Sequence, residues 1–177
     1  MKNIVLIGLM GAGKSTIGKR LSKKLHWNFV DTDLVIEEKC GTSVSIVFEV
    51  EGESGFRIRE HKVLVEYMNK ANIVIATGGG APIEKNNRTL LKNGLIFYLF
   101  SEPSSIWKRL AHDDSRPILQ NSDNIKKTIF ELFSKRDPIY RELADHVIIC
   151  ENLPLKSIVA KIMNILKLEG FLRQSMT

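Results

Sequence analysis

The sequence is poor in cysteine and histidine and contains no long apolar run. Its 177 residues include two cysteines and four histidines, at spacings that do not match a metal-ligand pattern. Two isolated thiols are typical of a reducing cytoplasm. No apolar stretch approaches the ~20 residues that span a bilayer. The first apolar run begins at residue 3 and leaves no room for a signal peptide. We therefore expect a cytoplasmic protein without a membrane segment.

The charge is positive but it is scattered. The formal net charge is +6, yet no basic run exceeds three residues. Basic and aromatic residues do not alternate as they do in many nucleic-acid surfaces. Anionic small molecules explain the positive charge more simply, and we expect no nucleic-acid partner.

The apolar pattern indicates one α/β domain. Five short apolar runs are separated by helical patterns, and this alternation predicts a parallel sheet that is buried on both faces. The chain length suits one domain with one core. The predicted strands are residues 3–7, 28–30, 73–77, 95–99 and 146–150.

A glycine-rich loop follows the first predicted strand. Residues 8–15 are G-L-M-G-A-G-K-S and match the pattern G-x-x-x-x-G-K-[ST] at every fixed position. Residues 16–25 are predicted to form the helix that this motif requires, whose start favours phosphate groups. Lys14 is expected to reach the β- and γ-phosphates, and the Ser15 hydroxyl to bind Mg²⁺. The alternative is a chance glycine turn with a lysine, and the flanking strand and helix argue against it.

Two more polar groups follow predicted strands. Asp31 and Asp33, at spacing two on an extended end, are predicted to point the same way. One could help to hold Mg²⁺, and the other could orient or deprotonate a hydroxyl group. The alternative is that Asp33 caps the next helix. The glycines at 78–80 would let a ligand approach the backbone, or they form a plain flexible turn.

Two arginines have both a functional and an ordinary interpretation. A helix is predicted from Glu53 to about Lys70, in which Glu60 could fix the Arg57 guanidinium as a receptor for a carboxylate. From the spacing alone, an ordinary charged helix face is the favoured interpretation. Arg116 lies in a polar segment and could close over phosphates, or it is a solvated surface residue.

Together these residues resemble the shikimate kinase family, from residue 3 to about residue 167. The most specific motif is F-x-x-x-G-E-x-x-F-R-x-x-E at residues 48–60, between the D-T-D and G-G-G groups. R-P at 116–117 and R-D-P-I-Y at 136–140 follow in the family's order. The resemblance implies a three-layer P-loop kinase fold, in which a five-stranded parallel sheet has helices on both faces. It also implies a monomer with one domain over residues 1–169 and a mobile lid at about 111–124. We expect residues 170–177 to be a frayed tail.

The resemblance also implies an activity and a set of site residues. The family transfers the γ-phosphoryl group of ATP to the 3-hydroxyl of shikimate, in aromatic amino acid biosynthesis. Asp33 would hold and deprotonate that hydroxyl, while Lys14 and Arg116 would neutralise phosphate charge. Further ATP contacts would come from Gly11, Ala12, Gly13, Ser15, Thr16, Arg109 and Pro154, with Mg²⁺ on Ser15 and Asp31. Shikimate contacts would come from Asp33, Arg57, Gly78, Gly79, Gly80, Arg136, Phe48, Phe56 and Glu60, with Arg57 and Arg136 on the carboxylate.

Two other functions share part of this pattern. A gluconate or nucleoside-monophosphate kinase has the P-loop and lid, but it is not expected to combine the motif at 48–60 with three glycines. A GTP-binding switch carries N-K-x-D and D-x-x-G. Here residues 69–72 are N-K-A-N, and no aspartate has a glycine three positions on.

Overall fold

Five short strands form one parallel sheet at the centre of the protein. The structure, a computed structural model, describes residues 2–110 and 125–171. The strand order is β2-β3-β1-β4-β5, and all neighbouring pairs are parallel. All four residues of β1 are fully buried, which agrees with a central strand that is covered on both faces. The strands are β1 (Ile4–Ile7), β2 (Asn28–Asp31), β3 (Ile73–Ala76), β4 (Leu95–Phe100) and β5 (His146–Ile149).

Helices cover both faces of the sheet. The described helices are α1 (Lys14–Leu25), α2 (Thr32–Cys40), α3 (Val44–Met68), α4 (Lys85–Leu91), α5 (Pro103–Leu110), α6 (Ile125–Leu143) and α7 (Leu155–Leu168), with a 3₁₀ turn at Ala81–Ile83. On one face, α1 and α7 pack on Leu6 and Phe97. On the other, α3, α4, α5 and α6 pack on Val5, Ile7 and Tyr98. Each fully buried large apolar side chain contributes about 1.5–3 kcal/mol. The three-layer fold with a five-stranded parallel sheet is confirmed.

The parallel topology brings three loops to one edge of the sheet. The loops after β1, β2 and β3 all leave from the carboxyl ends of adjacent strands, where ligands bind in open α/β sheets. They carry the P-loop, the Asp31–Asp33 group and the three glycines. A smaller apolar cluster joins α2 to α3 and includes Ile36, Val47 and Phe56, so α3 is held beside the same edge.

The third helix is longer than predicted and it is kinked. It begins at Val44, where the Ser43 side chain accepts a hydrogen bond from the Ile46 N–H, and not at Glu53. At Gly52 the backbone has φ 69° and ψ −178°, a conformation that residues with a side chain rarely adopt. The kink turns the first half of α3, which carries Phe48, toward the second half, which carries Arg57.

The end of the chain differs from the prediction at two residues. The Phe171 N–H donates to the Leu166 carbonyl at 2.9 Å, and the Phe171 and Trp27 rings lie 6.0 Å apart. Because this packing extends one of the two main apolar clusters, the prediction that fraying starts at residue 170 is wrong for Gly170 and Phe171. The rest of the predicted tail, and the predicted lid at 111–124, lie outside the described residues.

A membrane span is not found in the described part of the chain: over residues 2–110 and 125–171, no helix combines the length and the apolar character that crossing a bilayer requires.

Candidate active site

The P-loop wraps the start of α1. The helix begins at Lys14, two residues before the predicted start, so Lys14 and Ser15 lie in its first turn. The N–H groups of this turn point out of the helix end and give the loop positive potential. The Lys14 ammonium donates to the carbonyls of Gly8 at 2.8 Å and Leu9 at 2.9 Å. The loop therefore collects N–H donors and a nearly buried cation at one point, which is the chemistry of a phosphate site.

Asp31, and not Asp33, caps the second helix. The Asp31 carboxylate accepts a hydrogen bond from the Asp33 N–H at 3.1 Å and another from the Ser15 hydroxyl. The expected extended arrangement of the two acids is therefore wrong, because α2 already begins at Thr32. The alternative in which Asp33 is the cap is also wrong. Since Asp31 satisfies the helix start, the Asp33 carboxylate is directed to the site instead.

A large cavity of about 950 Å³ lies in front of the P-loop. Its walls include the predicted nucleotide contacts Gly11 to Thr16 and Arg109, together with Asp31 and Asp33. Pro154 is not among its lining residues, although Asn152, Leu153 and Leu155 are. The loop after β5 thus faces the cavity through neighbours of the proline and not through the predicted residue itself.

Glu151 fixes this wall, a role that was missed in the sequence. Its carboxylate accepts hydrogen bonds from the Glu102 N–H and the Ser105 hydroxyl, both at 2.7 Å. Arg109, 4.0 Å from Glu151, donates to the Gly11 carbonyl at 2.8 Å. The P-loop, α5 and the loop after β5 are therefore connected by one polar network. In the sequence, the only indication of this role was that Glu151 directly follows the last predicted strand, residues 146–150.

A second, smaller cavity of about 60 Å³ adjoins the first. It contains every predicted shikimate contact, together with Met10 and Val44, which were not predicted. Met10, Asp33, Val44 and Gly79 line both cavities. Asp33 thus lies between a space of nucleotide size and a small charged space. The predicted contacts that line it are Asp33, Phe48, Phe56, Arg57, Glu60, Gly78, Gly79, Gly80 and Arg136.

Arg57 is held firmly at the edge of this small cavity. Its guanidinium donates to Glu60 at 2.7 Å and to Glu53 at 3.1 Å, and it lies 5.3 Å from the Phe56 ring. Phe56 stacks on Phe48, with ring centroids 4.4 Å apart. The side chain of Arg57 is only 12% exposed, so the interpretation as an ordinary charged helix face is wrong.

Glu60 is the most deeply buried charged group of the site. Its side chain has no exposed surface, and within the described residues its Oε1 atom has no hydrogen-bond partner. Burial raises the pKa of Glu60 to about 7; Arg57 opposes this shift, and Asp33 and Glu84 add to it. The Glu60 carboxyl group therefore changes its protonation state near neutral pH.

The three glycines leave space that side chains of the site occupy. A Cβ atom on Gly78 would lie 2.7 Å from the Asp33 Oδ1 and 2.8 Å from the Glu60 Oε1, and one on Gly80 would lie 2.1 Å from the Arg57 guanidinium. The turn is also hydrogen bonded, since the Gly78 N–H donates to Thr32 Oγ1 at 2.9 Å. The alternative of a plain flexible turn is wrong.

The second arginine of the small cavity comes from α6. Arg136 is buried, and a Cβ atom on Gly79 would lie 3.5 Å from its guanidinium. One turn later, the Tyr140 hydroxyl donates to the Gly79 carbonyl. Burial raises the pKa of Tyr140 to about 12, so it remains a donor. No role was predicted for Tyr140, although its place in the R-D-P-I-Y motif was a signal.

Comparison with known proteins decides the family. The sequence profile described as shikimate kinase matches residues 10–167, which is most of the chain. The chain belongs to the shikimate kinase family. A shikimate kinase from Nitrosospira multiformis is 47% identical over 148 residues, which are 83% of this chain and 75% of that protein. The predicted resemblance is thereby confirmed.

Solved structures distinguish a likeness to the family from a likeness to the fold alone. A shikimate kinase from Acinetobacter baumannii, in complex with shikimate, superposes with a TM-score of 0.92 and 38% identity, covering 96% of this chain and 94% of that one. A gluconokinase from Sinorhizobium meliloti, covering 96% of this chain and 97% of that one, reaches a TM-score of 0.55 at 13% identity. The second likeness extends to the fold alone.

Proposed function

We propose that this protein transfers the γ-phosphoryl group of ATP to the 3-hydroxyl of shikimate, giving shikimate 3-phosphate and ADP. The family supplies the reaction class. The observation that carries the proposal is the pair of adjoining cavities, one beside a P-loop and one lined by two guanidinium groups, with Asp33 in both. Shikimate has the one carboxylate and the hydroxyl groups that the small cavity would receive.

The small cavity provides the positioning. Arg57 and Arg136 would bind the carboxylate of shikimate, since a guanidinium presents paired donors to a carboxylate. Glu60 fixes the Arg57 guanidinium at 2.7 Å, while Phe48 and Phe56 form an apolar wall. With its acid end held there, the acceptor would direct a hydroxyl toward Asp33. Fixing the reactants in this way removes much of the entropic part of the barrier.

The transfer then needs one proton acceptor and strong neutralisation of phosphate charge. The hydroxyl oxygen forms a bond to the γ-phosphorus as the bond to the bridging oxygen of ADP breaks, and Asp33 takes the hydroxyl proton. Lys14 and the N–H groups of the P-loop would stabilise the phosphate oxygens. Arg116, which lies outside the described residues, would add positive charge, a role that rests on the resemblance.

The residues present suit Mg²⁺. The Ser15 hydroxyl and the Asp31 carboxylate are in contact and line the large cavity, and Mg²⁺ prefers oxygen ligands of these types beside phosphates. Ser15 and Asp31 would hold the ion, with Asp31 acting through its water shell. When bound, Mg²⁺ neutralises charge on the phosphates.

We also propose that the enzyme acts as a monomer in the cytoplasm. The described residues of one chain bring the P-loop, Asp33 and the two arginines together around adjoining cavities, which supports a monomer. Both cysteines are free thiols, which suits a reducing compartment. Light scattering of the purified protein and fractionation of cells would test the two statements.

A coupled assay of ADP formation tests the proposed reaction. ATP with Mg²⁺ is offered with no acceptor, shikimate, gluconate or a nucleoside monophosphate, and GTP replaces ATP in a parallel series. We expect ADP only with ATP and shikimate, matched by an equal amount of shikimate 3-phosphate. ADP formation with another acceptor alone, or tight GTP binding without turnover, would contradict the proposal.

A further inference from the structure

The small cavity is balanced in charge before an organic acid enters it. Two guanidinium groups, Arg57 and Arg136, and two carboxyl groups, Asp33 and Glu60, line it. On the proposed function, on which this inference rests, the acceptor adds a third carboxylate. A buried site with an excess negative charge is costly, and buried groups respond by changing protonation. The added negative charge therefore favours uptake of a proton by one of the carboxyl groups in the small cavity.

Geometry selects the group that receives this proton. Glu60 Oε2 accepts from Arg57 at 2.7 Å, whereas its Oε1 is fully buried and has no partner within the described part of the chain. Oε1 and Asp33 Oδ1 lie 2.8 and 2.7 Å from the same point beside Gly78, so these two oxygens are at most 5.5 Å apart. A proton on Oε1 would relieve an unpaired buried acceptor and reduce the repulsion between two carboxyl groups.

Charged groups face Glu60 from each neighbouring element. On its own helix, Arg57 binds it, and the adjacent His61 is engaged elsewhere, through Nδ1 with Asn87 at 2.7 Å. Asp33 from α2 and Glu84, after the 3₁₀ turn, both disfavour its ionised form, and burial is the largest influence. From α6, Arg136 and Tyr140 complete the surroundings. The balance holds the pKa of Glu60 at about 7, and an added carboxylate would raise it further.

We propose that Glu60 takes up a proton from solvent when shikimate binds, so that the acid enters the cavity as Glu60 becomes neutral. The step is Glu60 carboxylate plus one proton giving the carboxylic acid, and no other bond changes. Arg57, relieved of one counter-ion, then directs its full charge to the substrate. Glu60 is thus a positioning residue whose protonation is coupled to binding.

Calorimetry in two buffers measures this uptake directly. Shikimate is titrated into the whole protein at pH 7 in PIPES and in Tris, which differ in ionisation enthalpy. We expect the binding enthalpy to differ between the buffers by an amount that corresponds to up to about half a proton per shikimate. Glu60→Gln, which resembles the neutral acid, is expected to bind shikimate with the same enthalpy in both buffers.

The control is the exposed partner of the same arginine. Glu53 also binds Arg57, but its side chain is 69% exposed, so Glu53→Gln should keep the buffer difference. Equal binding enthalpies in both buffers for the wild type would overturn this inference but not the proposed function. A buffer difference that persists in Glu60→Gln would assign the proton to another group, such as His61, and also overturn it. Failure of shikimate to bind the wild type at all would overturn the proposed function together with the inference.

A second measurement needs no variant. Between pH 6 and 8 a simple carboxylic acid such as shikimate stays ionised, so proton uptake by the protein makes binding weaker as the pH rises. We expect the dissociation constant of the wild type to increase by up to about tenfold per pH unit at the upper end of this range. A constant that is the same from pH 6 to 8 would overturn the inference.

Discussion

The two adjoining cavities are built in different ways. The phosphate end of the nucleotide cavity relies on backbone N–H groups, a helix start and one lysine, all from the contiguous residues 8–16. The small cavity relies on charged side chains from α2, α3 and α6 and on three glycines that leave space for them. Phosphate recognition is thus local in sequence, whereas acceptor recognition depends on how distant elements pack. Substitutions in the small cavity should therefore change shikimate kinetics and leave ATP affinity nearly intact.

Asp33, which lies in both cavities, gives the largest expected effect. Asp33→Asn should lower kcat by about 10²- to 10⁴-fold, since it removes the proton acceptor, with little change in the KM for ATP. Steady-state kinetics with both substrates measures this, and Glu38→Gln, an exposed acid on the same helix, is the control. Turnover near that of the control would show that Asp33 is not the proton acceptor.

Arg57 tests the acid-binding part of the small cavity. Arg57→Ala removes the guanidinium that would pair with the shikimate carboxylate. Truncating one partner of such a buried charge pair costs about 2–5 kcal/mol, so the KM for shikimate should rise roughly 30-fold to several thousand-fold. Arg59→Ala is the matched control, because that arginine lies two residues on and pairs with Glu51 at the surface. If both variants have the same KM for shikimate, Arg57 does not bind the acid.

The variant Gly80→Ala tests whether Arg57 requires a glycine at this position. The φ of −87° at Gly80 suits alanine, so only the clash with Arg57 opposes Gly80→Ala. Overpacking of this kind costs about 1–3 kcal/mol, and the KM for shikimate should rise about 5- to 150-fold. In an Arg57→Ala background the same change should have almost no effect. An equal effect in both backgrounds would assign the glycine to another constraint.

Tyr140 gives the smallest effect and tests the support behind the site. Tyr140→Phe removes the donor to the Gly79 carbonyl, which is worth about 0.5–1.5 kcal/mol, so the KM for shikimate should rise roughly 2- to 10-fold. Tyr98→Phe, which removes a buried hydroxyl that donates to Asp137, should reduce stability without this change. Equal KM values for the two variants would show that Tyr140 does not position the glycine turn.

The sequence predicted the nucleotide cavity better than the small cavity, because the P-loop is formed by adjacent residues and the small cavity by distant ones. The P-loop could be identified from eight adjacent residues, and all five strands were placed to within one residue at each end, because each contains a short apolar run that lies between helical patterns. The spacing to Glu60 indicated Arg57, but its pairing with Arg136 had to come from the family resemblance, since 79 positions separate the two arginines in the chain and no local pattern joins them. The resemblance did not assign roles to Tyr140 and Glu151, whose bonds exist only after packing.

Local rules also failed where a helix boundary depends on a single residue. The segment of α3 between its start at Val44 and its kink at Gly52 is short, so residues 44–51 gave no clear helical period. At the start of α2, two aspartates could each serve as the cap. In the structure the Asp31 carboxylate accepts from the Asp33 N–H and from the Ser15 hydroxyl, and Asp33 is the acid that lines both cavities.

A structure of the protein with Mg²⁺-ADP and shikimate bound together tests the central claim most directly. We expect the nucleotide phosphates on the N–H groups of residues 11–16, the shikimate carboxylate within hydrogen-bond distance of Arg57 and Arg136, and the 3-hydroxyl beside Asp33. Shikimate bound away from these arginines, or with its 3-hydroxyl remote from both Asp33 and the phosphates, would contradict the account.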